Sequence, residues 1–475
     1  MNARSAALAL LLAAALPAMA AARPQPAPPV AAADTLRLGL DDAIQRALAQ
    51  GEEMRAARAL VRQTEGQVLE QLSRALPQVS GTVTYDRTIQ SIYQNLVPAD
   101  SPFGSLLENS PFAARNSWTA NLTAQQLLWS GGKVGSALRT ARAANHSTHA
   151  TEQETAAGLT YQVRLSYYEA STAQRLVEIA ESGLAQARAH LGQVQAGRRE
   201  GNRSEYEALR AEVDAANQEP AVVAARNALQ IALLSLERLV NVPLDQPVAL
   251  VTPLVEPDGR VPVVTDLSVA VDRRPALAAA NFEVEARRQA VKVYRGQRWP
   301  DLYAASTLSH QSFPLEAWPV HRDQFRRNWD ASLRLEIPIF TGLRTEGQIA
   351  QAQAQYEVAR ADRDRLREGA AIEAVQAKGE LERTLATLTA RRQTVKQARR
   401  AWELAGVRFT NGMSTQVEVS DARLQLQSAE VNEVQATRDY LLAIAALERA
   451  VGHPLPLERR PLEDVTPSSN PEGIR

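Results

Sequence analysis

The sequence predicts an α+β fold in which one structural unit occurs twice, and three observations support this prediction. The segment "LERLVNVPL" (Leu236–Leu244) recurs as "LERAVGHPL" (Leu447–Leu455), 211 positions later. Stretches of about ten residues alternate apolar and polar side chains, which is the period of a β-strand. Two longer stretches, each of roughly 65 residues, contain no proline and have the composition of long helices.

The repeat continues towards the N-terminus at the same offset, so that Gly201 aligns with Gly412 and Trp118 with Trp329. No insertion is needed over this stretch, which indicates a duplication. Each copy is predicted to contain a helix, two strands, a very long helix, a turn and a returning helix.

Upstream of the strands the offset changes to 223, where "ALPQV" (Ala75–Val79) matches "RWPDL" (Arg298–Leu302). The first copy is therefore 12 residues longer between its two strands. The extra residues fall within "SIYQNLVPADSPFGSLLENSPFAARN" (Ser91–Asn116). Length differences collect in surface loops, so this segment is predicted to be a loop tip.

The N-terminus has the pattern of a secretory signal peptide. Arg4 provides the positive charge, Ala6–Leu16 the apolar segment, and Ala18-Met19-Ala20 an A-x-A cleavage site. We expect this segment to be removed and the mature chain to lie outside the cytoplasm. The alternative is a retained membrane anchor, for which the apolar run is short.

The predicted boundaries follow from these features. They are a signal peptide at 1–22, a Pro/Ala-rich linker at 23–35, the first repeat at 36–244, a linker at 245–266, the second repeat at 267–455 and a flexible tail at 456–475. Within the first repeat the strands are predicted at about 79–88 and 117–129 and the helical hairpin at about 132–240. Within the second they are predicted at about 301–311 and 328–340, and the hairpin at about 342–451.

The strands carry one apolar and one polar face. Trp118 and Leu122 in the first copy, and Trp329, Leu333 and Leu335 in the second, alternate with polar residues. The strand regions 79–130 and 299–340 also hold 13 of the 23 aromatic residues. Such strands are typical of an outer-membrane β-barrel, and the alternative is a water-soluble sandwich whose apolar face is its core.

Four strands cannot close a barrel, and an open sheet edge in lipid leaves backbone groups unpaired. A membrane location of these strands therefore predicts an oligomer in which several chains pool their strands.

The long helices are predicted to pair as a coiled coil, because Leu184, Ala187, Leu191 and Val194 show three-four-three spacing. An ordinary amphipathic bundle is the alternative. The hairpins turn at "AGRREGNRSEYE" and "GVRFTNGMSTQVEV". In the second turn we expect Gly412 to reverse the chain and Ser414 or Thr415 to cap the returning helix.

Composition excludes several classes of function. The chain has no cysteine and zero net charge, which removes disulfides, zinc-thiolate sites and cysteine nucleophiles and gives no reason to expect nucleic acid as a partner. His146 and His149 have the spacing of a metal pair without a visible third ligand, so a solvated or tunnel-facing pair is favoured. We expect no enzymatic activity, no cofactor and no metal.

The doubled pattern resembles the TolC family of outer-membrane efflux conduits. The features that carry the resemblance are the duplication, the tip "RFTNGMSTQVEVSDA" (Arg408–Ala422), the junctions "LPQV" and "WPDL", and the two "LER" ends, and they span roughly Leu36–Leu455. The resemblance implies a homotrimer with a 12-stranded barrel, four strands per chain, continued by an α-helical coiled-coil tunnel through the periplasm of a Gram-negative bacterium.

It also implies a passive duct in the outer-membrane lipid that works with a periplasmic adaptor (membrane fusion) protein and an inner-membrane pump of the RND, ABC or MFS type. A structural coiled-coil protein of the periplasm without a channel is the alternative.

The resemblance assigns roles to residues of both hairpin tips. Glu418 and Asp421 are expected at the tunnel entrance, with Glu207 and Arg210 at the equivalent places of the first copy as a self-neutralising pair. Where some relatives have a tyrosine and an arginine that hold the entrance shut, this chain has Phe409 and Ser414. Adaptor contact is expected at Gly197, Gly201, Ser204, Arg408, Phe409, Gly412, Met413 and Ser414, and lipid contact at Trp118, Leu122, Trp329, Leu333 and Leu335.

Overall fold

The computed structural model describes residues 35–90, 114–243, 246–255, 260–262, 271–314, 316–318 and 322–459. The predicted signal peptide, nearly all of the Pro/Ala-rich linker, most of the loop tip of the first copy and most of the C-terminal tail lie outside the described residues.

Four antiparallel strands form the main sheet. They are β2 (Gln78–Arg87), β3 (Asn116–Trp129), β6 (Asp301–Ser312) and β7 (Arg326–Glu336), in the spatial order β2-β3-β6-β7. Each copy of the repeat supplies one hairpin of this sheet. The strand β7 ends four residues before the predicted end at 340, because Pro338 has no N–H group to donate to a ladder.

The two hairpins have the same register under the duplication. Tyr85 pairs with Trp118 in the first hairpin, and their equivalents Leu308 and Trp329 pair in the second. The polar face of the central pair β3–β6 is hydrogen bonded: Ser309 Oγ lies 2.7 Å from Asn121 Oδ1. The residues of β2 and β7, the two edge strands, are all exposed in the single chain.

Seven helices are described, and the longest of them form two hairpins. They are α1 (Leu40–Gln50), α2 (Glu52–Ser73), α3 (Lys133–Arg199), α4 (Glu205–Leu239), α5 (Pro275–Gly296), α6 (Arg344–Thr410) and α7 (Gln416–Val451). The helix expected before the first strand pair is thus two helices, separated at Gly51. Helices α3 and α6 have 67 residues each, a length of about 100 Å. None of the described helices is apolar and long enough to cross a membrane.

Helix α3 pairs with α4, α6 pairs with α7, and α3 also packs against α7, which joins the two hairpins. Part of the predicted seam lies between α3 and α4, since Val194 and Leu191 pack against Ala208 and Ala211. Nearer the sheet, the N-terminal parts of α3 and α6 pack against α2 and α5, in the order α2, α3, α5, α6.

The duplicated "LER" segments anchor the ends of the returning helices. Leu236 and Val240, and their equivalents Leu447 and Val451, are fully or almost fully buried in two separate core clusters. After each helix the chain reverses through a positive φ, at Asn241 in the first copy and Gly452 in the second. The segment recurs because each hairpin ends in one such buried anchor.

Two small sheets were not expected from the sequence. Strand β1 (Leu36–Leu38) pairs in parallel with β4 (Val248–Leu250), and β5 (Arg260–Pro262) pairs with β8 (Leu457–Arg459). The predicted linker and the start of the predicted tail therefore contain strands. Tyr167 fastens the first of these sheets, because its hydroxyl donates to Leu38 O at 3.1 Å and accepts from Thr252 N at 2.9 Å.

The junction "SGGK" between β3 and α3 is tight. Gly131 and Gly132 both have positive φ, 58° and 81°. A Cβ at Gly131 would lie 2.3 Å from Trp299 Cβ, whereas one at Gly132 would meet open space. Lys133 Nζ pairs with Asp301 Oδ2 at 2.5 Å across the same junction. In the second copy Leu343, the equivalent of Gly132, has a φ of 65°.

We expect Gly131→Ala to destabilise the protein more than Gly132→Ala. Both variants carry the cost of a left-handed conformation, about 1–2 kcal/mol, but only the first adds a steric clash with Trp299, about 1–3 kcal/mol more. Thermal unfolding of the detergent-solubilised proteins measures the difference. Equal midpoints for the two variants would contradict the tight junction.

Candidate channel entrance and docking tips

The first hairpin tip is closed by a capping box. Gly201 reverses the chain with a φ of 77°. Ser204 Oγ accepts a hydrogen bond from Glu207 N at 3.3 Å, and Glu207 Oε2 accepts one from Ser204 N at 2.8 Å. This backbone hydrogen bond, with smaller contributions from the Ser204 hydroxyl and Arg203, lowers the pKa of Glu207.

Glu207 pairs with Arg203, at 3.2 Å, rather than with Arg210 as the sequence suggested. The capping box draws the carboxylate back over the start of α4, whereas Arg210 lies one turn further along the helix. Among the described residues Arg210 forms no ion pair.

The second tip has the same turn with a different cap. Gly412 has a φ of 72°. Of the two capping candidates Thr415 is the N-cap, since its side chain accepts a hydrogen bond from Glu418 N at 3.4 Å. Ser414 Oγ instead donates to Glu418 Oε2 at 2.9 Å, and Arg408 Nη2 donates to Met413 O at 3.3 Å.

Glu418 and Asp421 are both exposed on α7, beside the exposed Gly412 and Met413. Neither carboxylate forms an ion pair within the part of the chain that the structure describes. Their i, i+3 spacing places both charges on one helix face. The second tip therefore presents two uncompensated negative charges, whereas Glu207 at the first tip is compensated by Arg203.

Phe409 connects the two tips. The Arg203 guanidinium lies 4.3 Å from the centre of the Phe409 ring, which is the geometry of a cation–π contact. The ring of His190 on α3 lies 5.7 Å away on the same phenyl group. At this position the chain thus uses stacking and charge where a tyrosine would use a hydrogen bond.

A second connection between the hairpins was missed by the sequence analysis. Arg423 on α7 is buried, with its Nη2 3.3 Å from Asp214 Oδ2 on α4 and its Nη1 3.3 Å from Gly183 O on α3. Ser420 Oγ donates to the same Asp214 oxygen at 2.8 Å. We call Arg423, Asp214 and Ser420 the hairpin clasp.

The hairpin clasp departs from the duplication. Glu212 stands at the position equivalent to Arg423, and Gln425 at the position equivalent to Asp214. This difference in charge between the two copies was the signal available in the sequence.

A cavity of about 580 Å³ adjoins the clasp. Its lining includes His190, Asp214, Trp402, Phe409 and Arg423. Burial lowers the pKa of His190, and the nearby Arg423 lowers it further. A neutral His190 avoids placing a third positive charge beside Arg423 and Arg203.

The other candidate residues lie far from the tips. His146 packs against the Phe282 ring at 5.3 Å, and His149 lies within 4 Å of Glu65 and Glu152. Within the described ranges no group of three or more potential metal ligands is present.

The expected lipid-face residues share the apolar face of the sheet. Trp329, Leu333, Leu335 and Leu122 are exposed in the single chain. Trp118 is partly covered, because its ring lies 4.9 Å from those of Tyr85 and Trp318.

We expect Arg423→Gln to loosen the contact between the hairpins. The substitution leaves Asp214 without its cation, so the free energy of local opening falls by roughly 2 kcal/mol. Hydrogen exchange of backbone amides in α4 and α7 near the tip measures this. Arg399→Gln is the control, because the exposed pair Arg399–Glu430 lies within one hairpin and contributes less than about 1 kcal/mol. Equal exchange in the two variants would show that the clasp does not hold the hairpins.

Comparison with known proteins identifies the family. A model described as outer membrane efflux protein matches residues 43–242 and 267–453, which fall on the two copies of the repeat. The pyoverdine export outer membrane protein OpmQ of Pseudomonas aeruginosa is 24% identical over 427 residues, covering 87% of this chain and 85% of OpmQ. The outer membrane protein OprJ of the same organism is 25% identical over 222 residues, covering 44% of this chain and 46% of OprJ.

Solved structures share the fold. CusC superposes with a TM-score of 0.73 at 18% identity, covering 88% of this chain and 94% of CusC. The open state of the Neisseria gonorrhoeae outer membrane channel MtrE gives a TM-score of 0.72 at 18% identity, covering 89% and 91%. The fold is that of the trimeric outer-membrane channels, with four strands per chain for the barrel and long helical hairpins for the tunnel. The chain belongs to the outer membrane efflux protein family and is an outer-membrane efflux channel.

Proposed function

We propose that the chain is the duct of a tripartite export system, in which three copies form one channel that joins a periplasmic adaptor and an inner-membrane pump. The observation that carries this proposal is the four-stranded sheet with two bare edges and one apolar face, continued by helices of about 100 Å. A sheet of this kind is complete only when other copies pair with its edges, and a helix of this length reaches far beyond a membrane.

The barrel would place its apolar face in lipid and its polar face around the lumen. The lipid-facing residues in this arrangement share the face of the sheet opposite Asn121 and Thr123. They are Trp118, Leu122, Trp329, Leu333 and Leu335. The inner face carries hydrogen-bonding side chains such as Asn121 and Thr123 and charged ones such as Asp86 and Arg334, which suit a water-filled duct.

The hairpin tips would dock the adaptor. Gly201 and Gly412 are open positions, because a Cβ at either one meets no atom within 4 Å. Partner backbone can therefore approach closely here. Gly197, Ser204, Arg408, Met413 and Ser414 complete the expected contact surface, together with Phe409, whose ring also stacks beneath Arg203.

The entrance would select for cations. Three chains bring six carboxylates of Glu418 and Asp421 together at the narrow end of the tunnel, and a ring of acidic side chains favours cations. Arg203 offsets the charge of Glu207, so the first tip adds little to this ring.

The duct itself would supply no energy. Transport would be driven by the inner-membrane pump, of the RND, ABC or MFS type, and that pump would choose the cargo. Pyoverdine export is the function named for OpmQ and gives one cargo class to test first.

Replacing Glu418 by Gln and Asp421 by Asn should reduce the preference for cations several-fold, because the ring loses all six charges. Reversal potentials in planar bilayers under a salt gradient measure this preference. Glu430→Gln is the control, since Glu430 is paired with Arg399 away from the tip. A selectivity unchanged from the parent would remove these residues from the entrance.

Gly412→Trp should abolish export while the channel still assembles. The indole projects from an open position and blocks close approach of the adaptor. Gly412→Ala carries the same backbone strain without the bulk, and it should retain most of the export. Growth in the presence of an exported compound, with native mass in detergent as the check on assembly, provides the measurement. Normal export by the tryptophan variant would exclude docking at this tip.

A further inference from the structure

The register of the sheet indicates how the edge strands of two copies pair. The duplication relates β3 to β7 at an offset of 211 and β2 to β6 at an offset of 223. Both hairpins obey these offsets in the structure: Gln78–Gln125 becomes Asp301–Glu336, and Tyr85–Trp118 becomes Leu308–Trp329. The register is thus a property of the repeat and not of one hairpin.

The central pair β3–β6 joins the two repeats within the chain, and it has an equivalent between chains. Applying the two offsets to β3 and β6 yields β7 of one chain and β2 of the next. The pairs Ala124–Ser306, Thr123–Thr307 and Asn121–Ser309 of the central seam then become Leu335–Val83, Arg334–Thr84 and Ser332–Asp86.

We infer that a second copy of this chain pairs its β2 with β7 in this register, and that Arg334 forms an ion pair with Asp86 across the seam. The inference rests on the proposed trimer and specifies its contact. Asp86 lies diagonally opposite Arg334, within the 7–8 Å that separates diagonal neighbours on one sheet face, which a long Arg side chain spans. The equivalent central seam is neutral, with Thr123 Oγ1 3.3 Å from Thr307 Oγ1.

The exposure of these strands supports the inference. Every residue of β2 and β7 is exposed, including Val83, Leu333 and Leu335, whereas most of β3 and β6 is partly buried. Arg334 and Asp86 form no ion pair with any other described residue. In this register the two diagonal neighbours of Asp86 on the polar face are Arg334 and Asp330, and Asp330 Oδ2 accepts a hydrogen bond from Asn328 Nδ2 at 2.6 Å. Arg334 is therefore the cation available to Asp86.

One face of α6 is exposed in the single chain, whereas α7 covers the equivalent face of α3. Within the chain α7 covers Tyr161 and Arg164 of α3, through Arg449 over the Tyr161 ring and through the Arg164–Glu448 ion pair. The equivalents of these two residues on α6 are Ile372 and Val375, which are 58% and 62% exposed. Helix α4 of the next chain would cover them in the same symmetry that pairs β2 with β7.

Disulfide cross-linking tests the register. Because the chain has no cysteine, every cross-link comes from the introduced residues. Under oxidation, Leu335→Cys with Val83→Cys should yield covalent dimers and trimers on non-reducing gels. Leu335→Cys with Gly81→Cys or with Tyr85→Cys, shifted by two residues either way, should yield much less. The pair Ala124→Cys with Ser306→Cys is the matched control, because it is the same contact inside one chain.

Native mass in detergent separates the two possible failures. A trimer in which a shifted pair cross-links best would overturn the register and leave the proposed channel intact. A monomer would overturn the proposed channel.

A charge reversal tests the ion pair. Arg334→Asp and Asp86→Arg should each lower the temperature at which the trimer dissociates, and the double variant should regain most of the loss because all three seams recover an opposite-charge pair. A double variant no more stable than the sum of the single effects would exclude the ion pair.

Discussion

Backbone hydrogen bonding at the edges of one small sheet is the constraint on which the rest of this structure depends. In hydrocarbon an unpaired N–H or C=O group costs several kcal/mol, so a sheet with free edges is not stable there. Among the described strands, β2 and β7 each have one edge that no other strand pairs with. Closure by further copies satisfies them, and the polar and apolar faces of the strands then fall on the lumen and the lipid without any additional requirement.

The duplication makes closure simple. Because both hairpins share one register, we infer that a single type of seam serves within the chain and between chains. The helices follow the same rule, since the long helices α3 and α6 are equal in length and their returning partners α4 and α7 end in the same buried "LER" anchor. Departures from the repeat are therefore informative. The hairpin clasp, Phe409 and Asp421 all lie at positions where the two copies differ in charge or size.

The sequence was sufficient for the elements whose cause is local. Alternation predicts the strands, glycine with a hydroxyl residue predicts the two tips, and the absence of proline predicts the long helices. It was insufficient where the cause lies in contacts between distant segments. Arg423 contacts Asp214, which lies 209 positions away in the sequence, and β1 pairs with β4, which lies in the linker after the first repeat. The predicted partner of Glu207, Arg210, was wrong for a different reason. The capping box holds the Glu207 carboxylate at the start of the helix, where it pairs with Arg203 instead.

The core anchors and the hairpin clasp lie at opposite ends of the hairpins. At the end of the core anchors Leu236, Val240, Leu447 and Val451 are packed in apolar clusters that a hinge motion would disrupt. At the other end the apolar clusters are small, such as Val194 with Ala208 and Ala211, and the polar clasp joins the two hairpins. A helix of 35 residues such as α4 extends for roughly 50 Å between the two ends. A small rotation at the core thus becomes a large displacement at the tip. The buried Arg423–Asp214 pair adds little net stability after desolvation, yet it leaves a charge uncompensated whenever the hairpins separate. Such a contact therefore favours one defined arrangement of the two hairpins without adding much to the stability of the tip.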